Sequence, residues 1–462
     1  DVANSLRFND GSSDYLNRTL GTATNRKKFT ISLWTKRSNL SVNNAAQLMT
    51  VGTNGGTNID EFNFYNTTDL LSFQGYESSV QEFQLRTNQK FRDTSAWYHI
   101  VVAYDSTQGT ASNRIKMYVN GTQVTSFAIE NYPDQNHEPL FNSNVPHLIG
   151  RYIASSNYYS GIISHINFID GTAYDATAFG ETDATTGEWK IKTSPSVTYG
   201  TNGFFILKDG NSVTDQSGNS NNFTVGGGTL TKTEDSPSNV FATWNPLLKT
   251  PSALSYLNGN TTVKTTNSQW EGSISTIAPS SGKWYWEARY NTGTGIKLDI
   301  VRQPTDLRFF DNSNQSYGSY NSNGYGYQLN NSGTDYYCSN NTCTTWSSSR
   351  GNSTKIYMVA VDLDNGKYWI GANGTWFNTS GTANPTTGDD PRHSFSAKLN
   401  GDAWFMCMSC EGNGNGHNAN FGNGYFGTTA VSSAGTNASG IGIFEYDVPT
   451  GYTALSTKGL NL

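Results

Sequence analysis

Apolar and polar residues alternate with a period of two along most of the chain, and the 3.6-residue period of an amphipathic helix is nearly absent. In FTISLWTKR (29–37), Phe29, Ile31 and Leu33 fall on one face and Thr30, Ser32 and Trp34 on the other, the pattern of a half-buried strand. WYHIVVAYD (97–105), RIKMYVNGT (114–122) and YYSGIISHINFIDG (158–171) read the same way. Asn120-Gly121 after an alternating run predicts a tight hairpin, because both residues tolerate positive φ. Asp170-Gly171 predicts another turn, and AYDATAF (173–179) one short helical turn.

Residues 209–246 are rich in turn formers and poor in alternation, which predicts a last strand followed by a linker. A second β-rich block begins near Ala253 and holds GKWYWEARY (282–290), KIYMVAVDLDNGKYWIGANGTWF (355–377) and AWFMCMSC (403–410). Asn365-Gly366 predicts a hairpin there and Asn373-Gly374 a second turn. IKMYVNGT and KYWIGANGT share a strand-then-Asn-Gly-Thr layout, one in each half, which suggests two similar sandwiches. YGSYNSNGYGYQLNNSGTDYYC (317–338) reads as two short strands and their turns, since Tyr325, Tyr327 and Leu329 alternate, as do Thr334, Tyr336 and Cys338. The predicted class is all-β, with two antiparallel jelly-roll sandwiches in tandem: 1–234, a connector over 235–252, and 253–462.

Composition narrows the function classes. Of the 462 residues 14% are charged and 13% aromatic. Disordered chains lack aromatic residues and carry charge, so this chain folds. The net charge is −6 with no basic run, which argues against nucleic-acid binding through phosphate neutralisation. No stretch approaches the ~20 apolar residues of a membrane-spanning helix. The sequence starts at Asp1 without a Met, as expected of a processed chain or a piece of a longer one.

Motifs that would carry chemistry are weak. Glycoside hydrolysis needs two facing carboxylates, and no E-x-D-x-x-E run places them on one strand face; GETD (180–183) lacks the third acid. DLDNG (362–366) puts Gly366 at position five of a calcium loop and no Glu follows, so it reads as a hairpin turn. EGNGNGHNANFGNG (411–424) has G-x-G spacings but strands on both sides, so it reads as a loop and not a dinucleotide site. The histidines show no ligand spacing. Cys338, Cys343, Cys407 and Cys410 leave three states open: disulfides, a Cys₄ zinc site, or reduced packing thiols. Any disulfide is expected to join Cys338 to Cys343, which flank a tight loop; Cys407 and Cys410 sit i,i+3 on a strand and point to opposite faces. The N-x-[ST] sequons, Asn66, Asn120 and Asn373 among them, arise by chance in so Asn-rich a chain.

The order of the segments carries a resemblance. LRFNDGSSDYLNRTLGTATNRKKFTISLWTKRSNL, then WYHIVVAYD, RIKMYVNGTQV and YYSGIISHINFIDGTAYDATAFGE, resembles a laminin-G/concanavalin-A-like jelly roll found in structural proteins of marine tailed phages. DSPSNVFATWNPL (235–247) resembles the connector that follows it there. SGKWYWEARY, VAVDLDNGKYWIGANGTWF, NANFGNGYF and YDVPTGYTALSTKGLN resemble a SPRY-type sandwich of the same proteins, while CSNNTC and CMSC depart from that pattern. The resemblance implies a non-enzymatic virion surface protein (fibre, spike or capsid decoration) located outside the cell. Its implied partners are other virion structural proteins and host-surface polysaccharide, with homo-oligomer formation and no membrane insertion. It implies no cofactor, although related jelly rolls sometimes hold calcium and IDGTAYD (169–175) is an oxygen-rich loop. Sugars take an apolar ring face together with neutral hydrogen-bonding groups. That makes Tyr152, Tyr158 and Tyr159 the glycan-binding candidates of the first domain, and Tyr317, Tyr320 and Trp346 those of the second. A secreted cellular adhesion lectin and a polysaccharide-cleaving enzyme are the competing readings.

Overall fold

In the computed structural model the described residues are all of 1–462 except 41–43, 54–56, 155–156, 209–211, 230, 250–253, 266–269, 292, 294, 303–323, 332, 341, 349, 378–380, 396–401 and 412–415. Strands account for 49% of the chain and helix for 3%, the latter as three-residue 3-10 turns such as Ala176–Ala178. The chain divides into two compact units, Asp1–Ser238 and Asn239–Leu462.

The first unit is a sandwich of two antiparallel sheets. One orders its strands Thr122–Gln123, Ile115–Val119, Tyr98–Asp105, Lys28–Arg37, Gly161–Asp170, Ser5–Phe8 and Thr231–Thr233, with Phe204–Ile206 also paired to Gly161–Asp170. The other orders them Phe127–Asn131, Val80–Lys90, Leu70–Glu77, Ile59–Phe64, Ala46–Gly52, Pro146–Ile149, Tyr15–Thr19 and Thr224–Gly227. Alternation decides what lies between them. Phe29, Ile31 and Leu33 enter the core beside Ile100, Val102 and Tyr104, and meet Phe62, Phe64, Phe73 and Phe83 of the opposite sheet. Phe29 stacks on Tyr104 at 4.7 Å and on Phe168 at 5.7 Å between ring centroids. The register to Gly161–Asp170 slips between Ser164 and Asn167, where His165 takes a positive φ of 49°. That bulge lets Ile163 and Ile166 both reach the core although they are three residues apart. At the predicted hairpin Asn120 and Gly121 have φ of 46° and 81°, as a two-residue turn requires.

The outer face of the first sheet is covered by the chain that follows Asp170. Trp189 donates Nε1–H to His99 Nδ1 at 2.9 Å, His99 Nε2 meets Ser32 Oγ at 2.9 Å, and Trp34 stacks on His99 at 4.8 Å. Burial lowers the His99 pKa to about 3, so the ring is neutral and carries its proton on Nε2.

The second unit has a seven-stranded sheet ordered Trp244–Lys249, Glu271–Ser275, Trp404–Cys410, Gly295–Arg302, Gly324–Asn330, Thr334–Ser339 and Thr342–Ser348. Its nine-stranded partner runs Leu254–Leu257, Thr262–Thr265, Gly416–Asn420, Lys283–Tyr290, Ile356–Asp362, Lys367–Ala372 and Thr375–Trp376, with His393–Ser394 and Thr453–Ala454 paired alongside. Two tyrosines tie the sheets together: Tyr327 OH donates to the Tyr368 carbonyl at 3.1 Å, and Tyr368 OH to the Leu298 carbonyl at 2.9 Å. Glu287 braces the last stretch of chain, accepting from the Glu445 and Tyr446 backbone N–H groups, each at 2.9 Å.

Two expectations change. Part of the glycine-rich 411–424 is a strand, Gly416–Asn420, inside the nine-stranded sheet. His417, Ala419 and Phe421 alternate there, and the asparagines find fixed partners: Asn418 Oδ1 accepts from Thr262 at 2.6 Å, and Asn420 Nδ2 donates to the Ile443 carbonyl at 2.9 Å. The stretch 235–252 is divided between the units. Asp235 is buried against Lys36 in the first, while Trp244–Lys249 is a strand of the second.

Cys338 and Cys343 are joined by a disulfide with Cα atoms 4.1 Å apart, facing each other across the Thr334–Ser339/Thr342–Ser348 hairpin. Cys407 and Cys410 are free and buried on opposite faces of one strand, Cys407 beside Ile274 and Val301, Cys410 in the main core. Burial pushes the Cys410 thiol up to about 12.

Candidate functional site

The second sheet of the first unit turns its apolar half inward, and its other half builds the site. Along Ile59–Phe64 the inward residues are Asp60, Phe62 and Phe64; the outward ones are Ile59, Glu61 and Asn63. Cross-strand register lines the outward residues up in two rows. One runs Asn17, Leu148, Thr50, Glu61, Gln74, Gln84 and Asn131. The other runs Gln47, Asn63, Ser72, Arg86 and Ile129. Apart from Leu148 and Ile129 every member is polar, and half are amides.

The rows are hydrogen-bonded into one layer. Glu61 Oε2 accepts from Gln47 Nε2 at 2.9 Å and Asn63 Nδ2 at 3.0 Å, and its Oε1 from Gln74 Nε2 at 3.2 Å. Gln74 Oε1 accepts in turn from Gln84 Nε2 at 2.5 Å and Ser72 Oγ at 3.3 Å. Gln81 Nε2 donates to Gln84 Oε1 at 3.0 Å and to Tyr76 OH at 2.7 Å. Burial pushes the Glu61 carboxyl upward, and the three amide donors pull it back. Two acceptors in the layer, Gln47 Oε1 and Asn63 Oδ1, have no partner, although Gln47 is only 1% and Asn63 0% exposed.

Aromatic rings flank this polar floor. Tyr76, opposite Ile59, stands beyond the Glu61 row. Tyr152 follows Arg151, whose carbonyl accepts from the row member Thr50 at 2.7 Å; burial raises the Tyr152 pKa, and Glu61 and Tyr76 add to the shift. Past the Asn63 row, the Arg86 guanidinium lies 3.3 Å from the Tyr65 ring centroid. Tyr158 continues the rim at 6.1 Å from Tyr15, with Arg151 over both rings. The result is a shallow trough between half-buried tyrosines, over a floor packed so closely that Gln47, Thr50, Glu61, Asn63, Ser72, Gln74 and Gln84 are only 0–8% exposed.

The inward neighbour of Glu61 responds to pH. Asp60 is wholly buried, accepts the Phe141 N–H at 2.8 Å, and is pushed by burial up to about 8. A carboxyl whose folded pKa lies above its unfolded value binds more protons when folded, so its contribution is lost as pH rises from about 4 to about 8. Asp60→Asn removes that dependence. Denaturant melts between pH 4 and 8 are expected to show the variant gaining on the parent as pH rises, with the difference level above pH 8.

The sequence candidates fall in different places. Tyr152 and Tyr158 stand on the rim. Tyr159 is a correction: it is 0% exposed, hydrogen-bonded to Thr35 Oγ1 at 2.6 Å, and packed in the core, so no ligand can stack on it. Successive residues on an extended backbone face opposite ways, which sends Tyr158 out and Tyr159 in. Tyr317 and Tyr320 lie outside the described residues. Trp346 is half-buried in the second unit, with Arg350 at 4.1 Å from its ring centroid. In the oxygen-rich loop, Asp170 accepts N–H groups from Thr24, Asn25, Asn142 and Asn202, at 2.6–3.1 Å, and Asp175 caps Ala176–Ala178. Its carboxylates are thus occupied by donors. No group of three or more metal-ligating side chains occurs among the described residues. No helix among them is long and apolar enough to cross a membrane.

The Laminin_G_3 family model, described as the concanavalin A-like lectin/glucanases superfamily, matches residues 10–179, which include both trough rows. No curated protein sequence matches the chain. Similar solved structures include the TRIM65 PSpry domain, 12% identical with a TM-score of 0.30, covering 39% of this chain and 88% of that one. A heptameric SAP-like pentraxin of Limulus polyphemus is 15% identical with a TM-score of 0.28, covering 38% of this chain and 79% of that one. A candidate carbohydrate-binding protein of Bacteroides ovatus is 15% identical with a TM-score of 0.31, covering 50% of this chain and 59% of that one.

Proposed function

We propose that the chain is a non-enzymatic surface protein of a tailed-phage virion, a fibre, spike or capsid decoration, which holds host-surface polysaccharide outside the cell. The tyrosine-rimmed trough of the lectin-like first unit is the observation that supports binding. The flanking tyrosines supply apolar faces and hydroxyl groups for a sugar. Glu61 is the one carboxylate in the two rows, and its oxygens already accept three amide bonds. Two-carboxylate hydrolysis needs a second acid facing it. The virion assignment is supported by the order of sequence motifs that resemble phage structural proteins. Its partners there are other virion proteins and further copies of itself.

Low charge leaves ring stacking and neutral hydrogen bonds to supply the affinity, so single sites are expected to bind near ~1 mM, about −4 kcal/mol. Many copies on one particle would gain 10²–10⁴-fold by avidity, as an order of magnitude. The test is a multimerised protein screened on a glycan array, with Tyr152→Ala and Tyr76→Ala each expected to weaken a single site about fivefold. No binding by the multimer would overturn adhesion and leave particle decoration. Release of reducing sugar would overturn the non-enzymatic reading. Absence of the native protein from purified particles would overturn the virion assignment.

A further inference from the structure

Two arginines converge on one indole where Thr342–Ser348 ends the seven-stranded sheet of the second unit. The Arg350 guanidinium carbon lies 4.1 Å from the Trp346 ring centroid and that of Arg392 5.6 Å; Arg392 is also 3.9 Å from the Tyr337 ring. Lys355 adds a third cation, its Nζ donating to the Arg350 carbonyl at 3.1 Å. The counter-charge is unequally shared. Asp335 is fully buried and accepts from Arg350, through its backbone N–H at 2.9 Å and Nη1 at 3.4 Å, while its other oxygen takes the Asn330 N–H at 2.8 Å. Among the described residues Arg392 has neither an ion pair nor a hydrogen bond, and its Nε is buried without a partner.

In a chain of net charge −6 this is a local feature and not part of a basic surface. A guanidinium held only by aromatic rings keeps its outer N–H groups free, and those match a planar carboxylate with two parallel hydrogen bonds. The rings also fix the fork in advance, which lowers the ordering cost of binding.

We propose that Arg392, with Arg350 beside it, forms a subsite for the carboxylate of a uronic-acid residue in an acidic polysaccharide. The inference rests on the glycan-binding reading above and adds a second site with its own selectivity. Arg392 supplies the paired donors. Arg350, already bound to Asp335, contributes field more than contact.

The experiment compares the full-length protein binding polygalacturonate and the same polymer after carboxyl reduction, by calorimetry. The parent is expected to prefer the acidic form about tenfold, the scale of one charged hydrogen-bond pair, and 0.5 M salt is expected to erase most of that preference. Arg392→Gln should abolish the preference while leaving affinity for the neutral form and the near-ultraviolet dichroism unchanged. Arg392→Lys, which keeps the charge and loses the fork, should retain only a minor part of it. Tyr152→Ala should lower affinity for both polymers equally. Equal binding of both forms by the parent would overturn the carboxylate subsite and leave the trough standing. So would a preference that survives in Arg392→Gln, or tighter binding of dextran sulfate at matched charge density. Binding of neither polymer would overturn both.

Discussion

Asp235→Ala is expected to cost the first unit about 3–5 kcal/mol, because it removes the carboxylate that faces a buried cation. Lys36 Nζ and Asp235 Oδ2 are 2.6 Å apart, with both side chains 3% exposed. Asp235 Oδ1 accepts Trp97 Nε1–H at 3.0 Å. Removing the carboxylate takes a shared acceptor from the Lys36 ammonium and the Trp97 indole N–H, where the Lys36 side chain is only 3% exposed. Hydrogen exchange on the full chain reads the result by region. Protection should fall across Ser5–Phe8, Lys28–Arg37 and Thr231–Thr233, and stay unchanged in Lys283–Tyr290. The double variant Lys36→Met/Asp235→Leu should recover most of the loss, since apolar residues of similar volume often replace a buried pair without penalty. Unchanged protection in the single variant would contradict this account.

Trp244→Ala is expected to have an effect of the same size, about 3–5 kcal/mol, in the other unit. Trp244 is 0% exposed and packs edge-on against Trp286 at 5.7 Å and Phe421 at 5.0 Å, while Trp286 stacks on Phe421 at 5.2 Å. The indole fills the space between the two sheets where Trp244–Lys249 pairs with Glu271–Ser275. Alanine leaves a cavity its rigid aromatic neighbours cannot close. Exchange should accelerate through Gly416–Asn420 and Lys283–Tyr290 and not in Lys28–Arg37. Acceleration confined to the first unit would refute the assignment of this residue. Asp235 and Trp244 are nine positions apart in the chain, so the pair of variants also locates where one cooperative unit gives way to the next.

Much of the fold was legible because a strand's inward half is written in adjacent residues. Phe29, Ile31 and Leu33, and the Asn120-Gly121 turn, need no partner to be recognised. The trough was not legible for the opposite reason. Thr50, Glu61, Gln74 and Gln84 lie on four strands, and only the register of three hairpins brings them side by side. A signal was present in the polar half of the alternation: EFNF, SFQ and FQLR set a core apolar residue against Glu, Asn, Ser, Gln or Arg at every second place. Tyr158 and Tyr159 are chemically alike, and composition does not tell the outward one from the inward one. In Gly416–Asn420 the glycine- and asparagine-rich composition masks the His417, Ala419, Phe421 alternation. Trp346 lies where the register between Thr334–Ser339 and Thr342–Ser348 shifts, next to arginines that sequence spacing does not bring near it.

The first and last strands of the opening unit lie side by side, with Ser5 opposite Thr233 and Arg7 opposite Thr231. Val2 N–H bonds Ser238 Oγ at 2.9 Å, and Ser236 Oγ bonds the Val2 carbonyl at 2.9 Å. The chain therefore enters and leaves this unit at one point, from the same end of an antiparallel pair. Mechanical tension along the chain would load those bonds in sequence and peel the strands apart like a zipper, not slide them past one another in shear. Each backbone bond would then resist alone, at about 1 kcal/mol. Under pull, the Lys36–Asp235 pair becomes the latch that meets the load before the sheet does.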